Sequence, residues 1–243
     1  MFPYDPKLLA AVTDAPQSIA DVLRILRSIE DICIDGDGLK WFNWLYLQVT
    51  QAVADRVVAG GFADGPWMAS LDVHFAKLYF SALKSSLSGG ETPGCWRVLL
   101  DSRDQYPVAR IQFALAGINA HINHDLAEAV VQTCQLSGTA PEHSGAHYGD
   151  FSAINATLDT LVEMAKRTLR VRLLGDVLPP VSHLEDTVAS WSMIAARENA
   201  WLNGEHLWHL RPAPHLTSSF EGMLDGFATV IGKALMVPVP LPM

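Results

Sequence analysis

The chain has 243 residues, of which 49% are hydrophobic and 18% are charged, and its formal net charge at pH 7 is −9. This length suffices for one sizeable hydrophobic core, so we expect a single domain over residues 1–243. The acidic balance argues against two classes of partner, a nucleic-acid backbone and an anionic membrane surface, because both attract basic surfaces.

Targeting signals and cysteine patterns point to the cytoplasm. The chain starts MFPYDPKLL, without a basic region followed by an apolar run, so we expect no secretory signal. No stretch approaches 18 uninterrupted apolar residues, which predicts no membrane span. Cys33, Cys95 and Cys134 are widely spaced and form no C-x-x-C pair, which predicts neither a disulfide framework nor a thiolate metal site.

Apolar residues recur with a helical period along most of the chain, and strand-like alternation is nearly absent. Proline and glycine residues separate the periodic segments. In chain order, the predicted helices cover residues 18–32, 39–59, 64–83, 95–103, 107–137, 151–174, 182–210 and 218–235. Residues 137–150 are predicted to form an irregular loop, and residues 1–15 and 236–243 are predicted as extended ends. The predicted fold class is all-α, a single-domain bundle of about seven or eight helices.

The fifth predicted helix carries a polar stripe beside its apolar one. At 100° per residue, His121, His124, Asp125 and Glu128 lie on one side together with Gly117. The four-residue spacing of His121 and Asp125 brings both side chains to one cation, so we predict these two as metal ligands and His124 as a general base. The glycine suggests close approach of another group, since glycine destabilises a helix. A solvated helix face is the alternative interpretation.

A second polar stripe follows in WSMIAARENAWLNGEHLWHL, residues 191–210. Glu198, Glu205 and His209 share a face with tryptophans, and carboxylates among large aromatic side chains are usually paired, protonated or metal-bound. We predict Glu205 and His209 as further metal ligands and Glu198 as a catalytic residue. Arg197 neighbours this face, either as a catalytic group or in a structural ion pair.

Two other histidine segments are candidates. His74 lies beside apolar residues of the third predicted helix, where it is either catalytic or a hydrogen-bonded core residue. In the irregular loop, His143, His147 and Asp150 are candidates to close over a cavity. The alternative, which we favour, is that His147 and Asp150 form the N-cap region of the next helix, with Asp150 as the capping residue. Nucleotide-binding and α/β-hydrolase motifs of the G-x-x-x-x-G-K-[ST], G-x-G-x-x-G and G-x-S-x-G types are absent.

Several segments together resemble a bacterial family of unknown function built around the H-x-x-H-D helix. They are DVHFAKLYFSAL, PGCWRVLLDSR, QFALAGINAHINHDLAEAVV, DFSAIN and ARENAWLNGEHLW, and they span most of residues 40–210. The resemblance implies a helical fold and a shared site without an established activity. More distantly, the H-x-x-x-D pair is similar to the helical zinc-dependent phospholipase C and nuclease class. That class uses an N-terminal tryptophan as a ligand, and this chain begins Met-Phe-Pro, so the likeness supports at most a one- or two-metal site.

These patterns leave three functions open. The first is a metal-dependent, hydrolase-like enzyme acting on a small molecule, with zinc, iron or manganese as the divalent ion. The second is a metal-free tailoring enzyme, a cyclase, isomerase or dehydratase, in which histidine and carboxylate pairs move protons in an aromatic pocket. The third is a non-catalytic ligand-binding domain whose polar stripes are buried ion pairs. In each case we expect a small, partly apolar ligand, and the oligomeric state is left open.

Overall fold

The computed structural model describes residues 2–105, 108–158, 160, 161, 164 and 193–238. Every regular element in these residues is helical, which confirms the all-α prediction. The helices are α1 (Asp5–Ala11), α2 (Ile19–Ile32), α3 (Gly38–Val58), α4 (Gly65–Ser88), α5 (Gly94–Leu100), α6, α7 (Ala146–Ala153), α8 (Met193–Leu210) and α9 (Pro214–Leu235). Helix α6 runs through three consecutive segments, Arg110–Ala120, His121–Asp125 and Leu126–Ser137.

Side-chain caps fix where several of these helices begin. The Ser18 hydroxyl accepts a hydrogen bond from the Asp21 N–H at the start of α2, and the Asp64 carboxylate accepts one from the Trp67 N–H at the start of α4. These bonds satisfy backbone donors that have no partner inside the helix. The predicted starts of both helices are therefore correct to within a residue.

Helix α6 lies at the centre of the bundle and contacts α3, α4, α5, α8 and α9. Its first segment is almost wholly buried, with apolar side chains on several faces rather than on one stripe. The largest fully buried side chains of the described residues include Trp41, Trp96, Trp201, Tyr79, Phe42 and Phe151. His121 and Asp125 on α6 are therefore placed in the core and not on a solvated face.

The prediction for residues 1–15 is wrong where α1 forms. Residues 1–15 were expected to be extended, but residues 5–11 form a helix in which Leu8 is completely buried. Pro6 lies in the first turn, where a helix needs no N–H donor, so it starts α1 and does not break it. The Asp5 carboxylate lies 3.1 Å from the Arg103 guanidinium and holds the helix against the bundle.

Three further boundaries differ from the prediction. Helix α7 begins at Ala146, inside the predicted loop, and ends at Ala153. Asp150 therefore lies one turn inside α7 and does not cap it; its carboxylate instead accepts the N–H groups of Ala63 and Asp64, at 2.8 and 2.6 Å. Helix α9 starts at Pro214 because proline suits the first turn. The predicted starts at 107 and 182, most of the predicted helix beyond 164, and the end of the tail lie outside the described residues.

Within the described parts of the chain, no helix combines the length and the apolarity needed to cross a membrane.

Candidate functional site

The HINHD motif forms a π-helical turn inside α6. Residues His121–Asp125 have π-helical geometry, and the Leu126 N–H donates to the His121 carbonyl five residues earlier. Such turns are rare in proteins, and they occur frequently at functional sites because the extra residue redirects side chains. The residues that the sequence singles out are thus also the residues at which the helix departs from regular geometry.

The Asp125 carboxylate is the hub of this turn. It is 2% exposed and accepts hydrogen bonds from His121 Nδ1 at 2.8 Å, His124 Nδ1 at 2.7 Å and Trp96 Nε1 at 3.0 Å. Burial would raise the pKa of Asp125, but the hydrogen bonds from the two histidines outweigh burial and hold that pKa below its usual value. Because an ionised carboxylate only accepts, both imidazoles carry a proton on Nδ1. We call these three residues the His121–Asp125–His124 centre.

His121 is the buried arm of the centre. Its ring stacks on Phe75 with 3.4 Å between centroids and meets Tyr46 edge-on at 4.6 Å. Burial lowers the pKa of His121 more than the hydrogen bond to Asp125 raises it, so the imidazole is neutral. Its Nε2 then offers a lone pair, yet this buried atom has no hydrogen-bond partner among the described residues. Leaving a buried polar atom unpaired costs on the order of 1–3 kcal/mol.

A cavity of about 50 Å³ adjoins His121. On the usual scale this volume holds roughly four water molecules. Most of its lining is aromatic and aliphatic, and His121 and Arg197 are the two basic side chains in it. The other lining residues are Phe42, Leu45, Tyr46, Val49, Phe75, Ile118, Ile122, Leu158, Leu161 and Met193. The cavity therefore suits a small, mainly apolar molecule with one polar end.

Arg197 is the second basic group of the cavity and comes from α8. It is 7% exposed; its Nε donates to Asn155 Oδ1 at 2.9 Å and its Nη2 to the Phe151 carbonyl at 2.7 Å. Burial lowers the pKa of Arg197 to about 10, so the guanidinium remains charged at neutral pH. No described carboxylate lies within ion-pair distance of it. The predicted structural ion pair is thus absent from the described residues, and the buried guanidinium lies over the Phe151 ring, 4.1 Å from its centroid.

The second polar stripe supplies Arg197 to this cavity, and its carboxylates lie elsewhere. Glu198 accepts the Tyr148 hydroxyl at 2.7 Å, and Glu205 accepts Trp201 Nε1 at 3.0 Å. His143 contacts both carboxylates, at 3.4 Å and 3.0 Å, and its side chain is 40% exposed. Tyr148, Glu198, Glu205 and His143 form a surface histidine cluster that is separate from the residues lining the cavity.

The predicted metal set does not assemble. His121, Asp125, Glu205 and His209 were expected to share one ion, but His209 is exposed and Glu205 belongs to the surface histidine cluster. Among the described residues, the one group of three or more ligand atoms within 4.8 Å of one another is formed by Cys95, His124 and Asp225. The prediction treated each stripe as a straight α-helical face, and it had no information on which face of α8 meets α6.

His74 belongs neither to the His121–Asp125–His124 centre nor to the surface histidine cluster. Its Nδ1 is 3.1 Å from the Thr133 hydroxyl, which itself donates to the Ala129 carbonyl, so the imidazole bridges α4 and α6. Burial lowers the pKa of His74. This contact corresponds to the alternative of a hydrogen-bonded core histidine.

Cys95 and Asp225 were not predicted as site residues from the sequence. Cys95 is completely buried at the start of α5, and Asp225 is on α9, 130 residues further along the chain. No local spacing connects them, and only the packing of α9 on α5 brings them together. The one available signal was the position of Cys95 within a segment that resembles the family.

The described architecture is that of an all-α protein with a buried two-histidine carboxylate centre on a π-turn. The model of a family of unknown function, DUF5995, matches residues 19–238, and the chain belongs to that family. This match confirms the resemblance to a family of unknown function and covers all residues of the centre and of the cavity. No curated protein and no solved structure matches the chain.

Proposed function

We propose that this protein is an enzyme that moves a proton on a small, mainly apolar carboxylate, with His121 as the general base. The observation that carries the proposal is the unpartnered Nε2 of a neutral, buried His121 in the wall that also contains Arg197. It corresponds to the metal-free alternative among the functions that the sequence leaves open. Isomerisation, cyclisation and dehydration can each begin with such a proton transfer.

The role of Asp125 follows from its bond to Nδ1. A general base needs its lone pair aimed at the substrate, and the Asp125 carboxylate fixes the tautomer that places the lone pair on Nε2. When Nε2 takes a proton, the same carboxylate stabilises the imidazolium that forms. Trp96 Nε1 holds the second side of that carboxylate oxygen and limits its movement.

The role of Arg197 follows from its charge and its remaining donors. A guanidinium has five N–H donors, and described residues accept two of them. A ligand carboxylate at this guanidinium would form charge-assisted hydrogen bonds in a site with little water, where such bonds are strongest. The apolar lining would hold the rest of the molecule beside Nε2.

A metal-dependent hydrolase centred on His121 has less support. Of its four expected ligands, Glu205 and His209 lie away from His121 and Asp125, and the unpartnered Nε2 is surrounded by aromatic rings. We therefore assign proton transfer to the His121 cavity without a metal ligand role for His121.

Deuterium exchange tests the proposal without knowledge of the natural substrate. The probes are 2-oxobutyrate and pyruvate in D₂O, and proton NMR follows the loss of the C3 proton signal. We expect exchange above the buffer rate, a decrease of about 100-fold or more in His121→Gln because general-base catalysis contributes 10²–10⁴, and a rise of about tenfold or more in the half-saturating concentration in Arg197→Met. His209→Gln, an exposed histidine of α8, is the control and should behave as wild type.

Equal rates for wild type and a folded His121→Gln variant would contradict the base assignment, as would buffer rates with both probes. In the latter case, a thermal shift caused by butyrate but not by butyramide, and lost in Arg197→Met, would support the non-catalytic ligand-binding alternative.

A further inference from the structure

His124 faces a different set of groups from His121. Cys95 from α5, His124 from the π-turn and Asp225 from α9 place one ligand atom each within 4.8 Å of one another. A tetrahedral zinc ion with bonds of about 2.0–2.3 Å separates its ligands by roughly 3.3–3.8 Å. Small side-chain movements would therefore bring these three atoms into one coordination sphere.

From these residues we infer a second site, distinct from the His121 cavity, in which Cys95, His124 and Asp225 bind one divalent ion of the zinc class. A mixture of thiolate, imidazole and carboxylate ligands suits zinc, cobalt or iron and is unsuited to magnesium or calcium. Three protein ligands leave a fourth position for water or a small molecule. The side chain of His124 is 15% exposed, which gives that position a route to solvent.

The hydrogen bond of His124 supports metal binding. Its Nδ1 lies 2.7 Å from Asp125 Oδ1, which leaves Nε2 as the ligand atom. Metal-bound histidines nearly always donate their other ring N–H to such a partner, commonly a carboxylate, which orients the ring and raises its basicity. Asp125 is itself held by His121 and Trp96, so the imidazole is supported from behind.

Asp225 and Cys95 are positioned together by the backbone. The Asp225 carboxylate accepts the N–H of Gly94 at 3.0 Å and that of Cys95 at 2.8 Å, at the start of α5. Each carboxylate oxygen keeps a further lone pair for a metal. Metal binding to Cys95 would form a sulfur–metal bond and release the thiol proton to solvent, with no change in oxidation state.

The surrounding charge also favours a cation. Asp125, Asp225 and Glu128 all act electrostatically on His124, and Glu221 acts on Glu128. Three carboxylates therefore act on one imidazole, and a fourth, Glu221, acts on one of those three. A divalent ion would offset part of this negative charge.

Cobalt binding tests the site. Untagged protein dialysed against chelator is titrated with Co²⁺, and the absorption spectrum is recorded. We expect binding of one equivalent with a thiolate-to-cobalt charge-transfer band, at least tenfold weaker binding in Asp225→Asn, and loss of the band in Cys95→Ser. Cys134→Ser is the matched control, because Cys134 is also a completely buried free thiol; its band should match the wild type.

Absence of the band from wild type would overturn the site, as would a band that persists in Cys95→Ser or disappears in Cys134→Ser. Circular dichroism establishes that each variant is folded, and His124→Gln replaces Cys95→Ser if the serine variant is not. Arg197→Met should bind cobalt as wild type does, so the outcome is separate from that of the exchange experiment.

Discussion

Single residues carry the chemistry of this protein, and the most informative of them are buried polar groups without partners. His121 Nε2 and Asp72 Oδ2 are both buried and without a hydrogen-bond partner among the described residues. Tyr46 contacts the His121 ring and its pKa is raised by burial and by the charge of Asp72. Native proteins rarely leave such groups unpaired, so they mark a place where a ligand or water completes the structure.

Asp72 gives a prediction for the pH dependence of stability. Burial raises the pKa of its carboxyl group to about 7, against about 3.9 in an unfolded chain. Between these two pKa values the folded state keeps a proton that the unfolded state releases. The contribution of Asp72 to the free energy of unfolding is therefore fully present below about pH 4 and is lost as the pH rises through about 7. We expect Asp72→Asn to remove this loss, which amounts to a few kcal/mol by linkage.

Urea unfolding at a series of pH values from 4 to 9 measures the effect. The free energy of unfolding of wild type should fall relative to that of Asp72→Asn over this range. The exposed Asp14→Asn variant serves as the control and should keep the wild-type profile. Parallel profiles for wild type and Asp72→Asn would show that the Asp72 carboxyl is not buried in the way described.

At the scale of elements, α3 and α6 pack at unusually close range through two reciprocal glycine–phenylalanine contacts. A Cβ atom on Gly117 would lie 2.3 Å from Phe42 Cγ, and one on Gly38 would lie 2.3 Å from Phe113 Cδ1. The equal spacing of the two pairs shows that the helices run in the same direction. Phe42 also lines the cavity, so this contact positions the cavity wall beside the π-turn.

Gly117→Ala tests this packing. The added methyl group meets a buried ring that has little room to move, and we expect a loss of about 1–3 kcal/mol in the free energy of unfolding. Gly222→Ala is the matched control in α9, because no atom lies within 4 Å of its added Cβ; it should be neutral or slightly stabilising. Chemical denaturation of both variants gives the comparison, and an unchanged stability in Gly117→Ala would refute the close contact.

The sequence predicts the regular helices better than it predicts the π-turn and the short helix α1. Ser18, Asp64 and Pro66 mark helix starts by local chemistry, and the glycine on the polar stripe of α6, Gly117, correctly indicates close approach of another group. The π-turn was not predictable in this way, because a helical wheel assumes a constant 100° per residue. Helix α1 was missed because seven residues with two nearby prolines show too little periodicity.

At the scale of the whole molecule, each of the two proposed sites contains one histidine of the HINHD motif. Both histidines are hydrogen-bonded to the same carboxylate, that of Asp125. Asp125 directs His121 toward the cavity formed with α3, α4 and α8, and holds His124 beside α5 and α9. The sequence predicted the motif itself as the centre of a site. It could not predict Arg197 and Asp225 as the partners of the two histidines, because those pairings depend on how α8 and α9 pack on α6.

The central claim is that His121 is a neutral base with a free Nε2 beside a carboxylate-binding cavity. Long-range proton–nitrogen NMR of protein labelled with ¹⁵N-histidine measures the tautomer directly, with His121→Gln used for assignment. We predict a neutral His121 ring protonated on Nδ1 at pH 7, with an unprotonated Nε2 whose resonance moves when 2-oxobutyrate is added. A charged ring, a proton on Nε2, or a resonance that does not respond to 2-oxobutyrate would contradict this account.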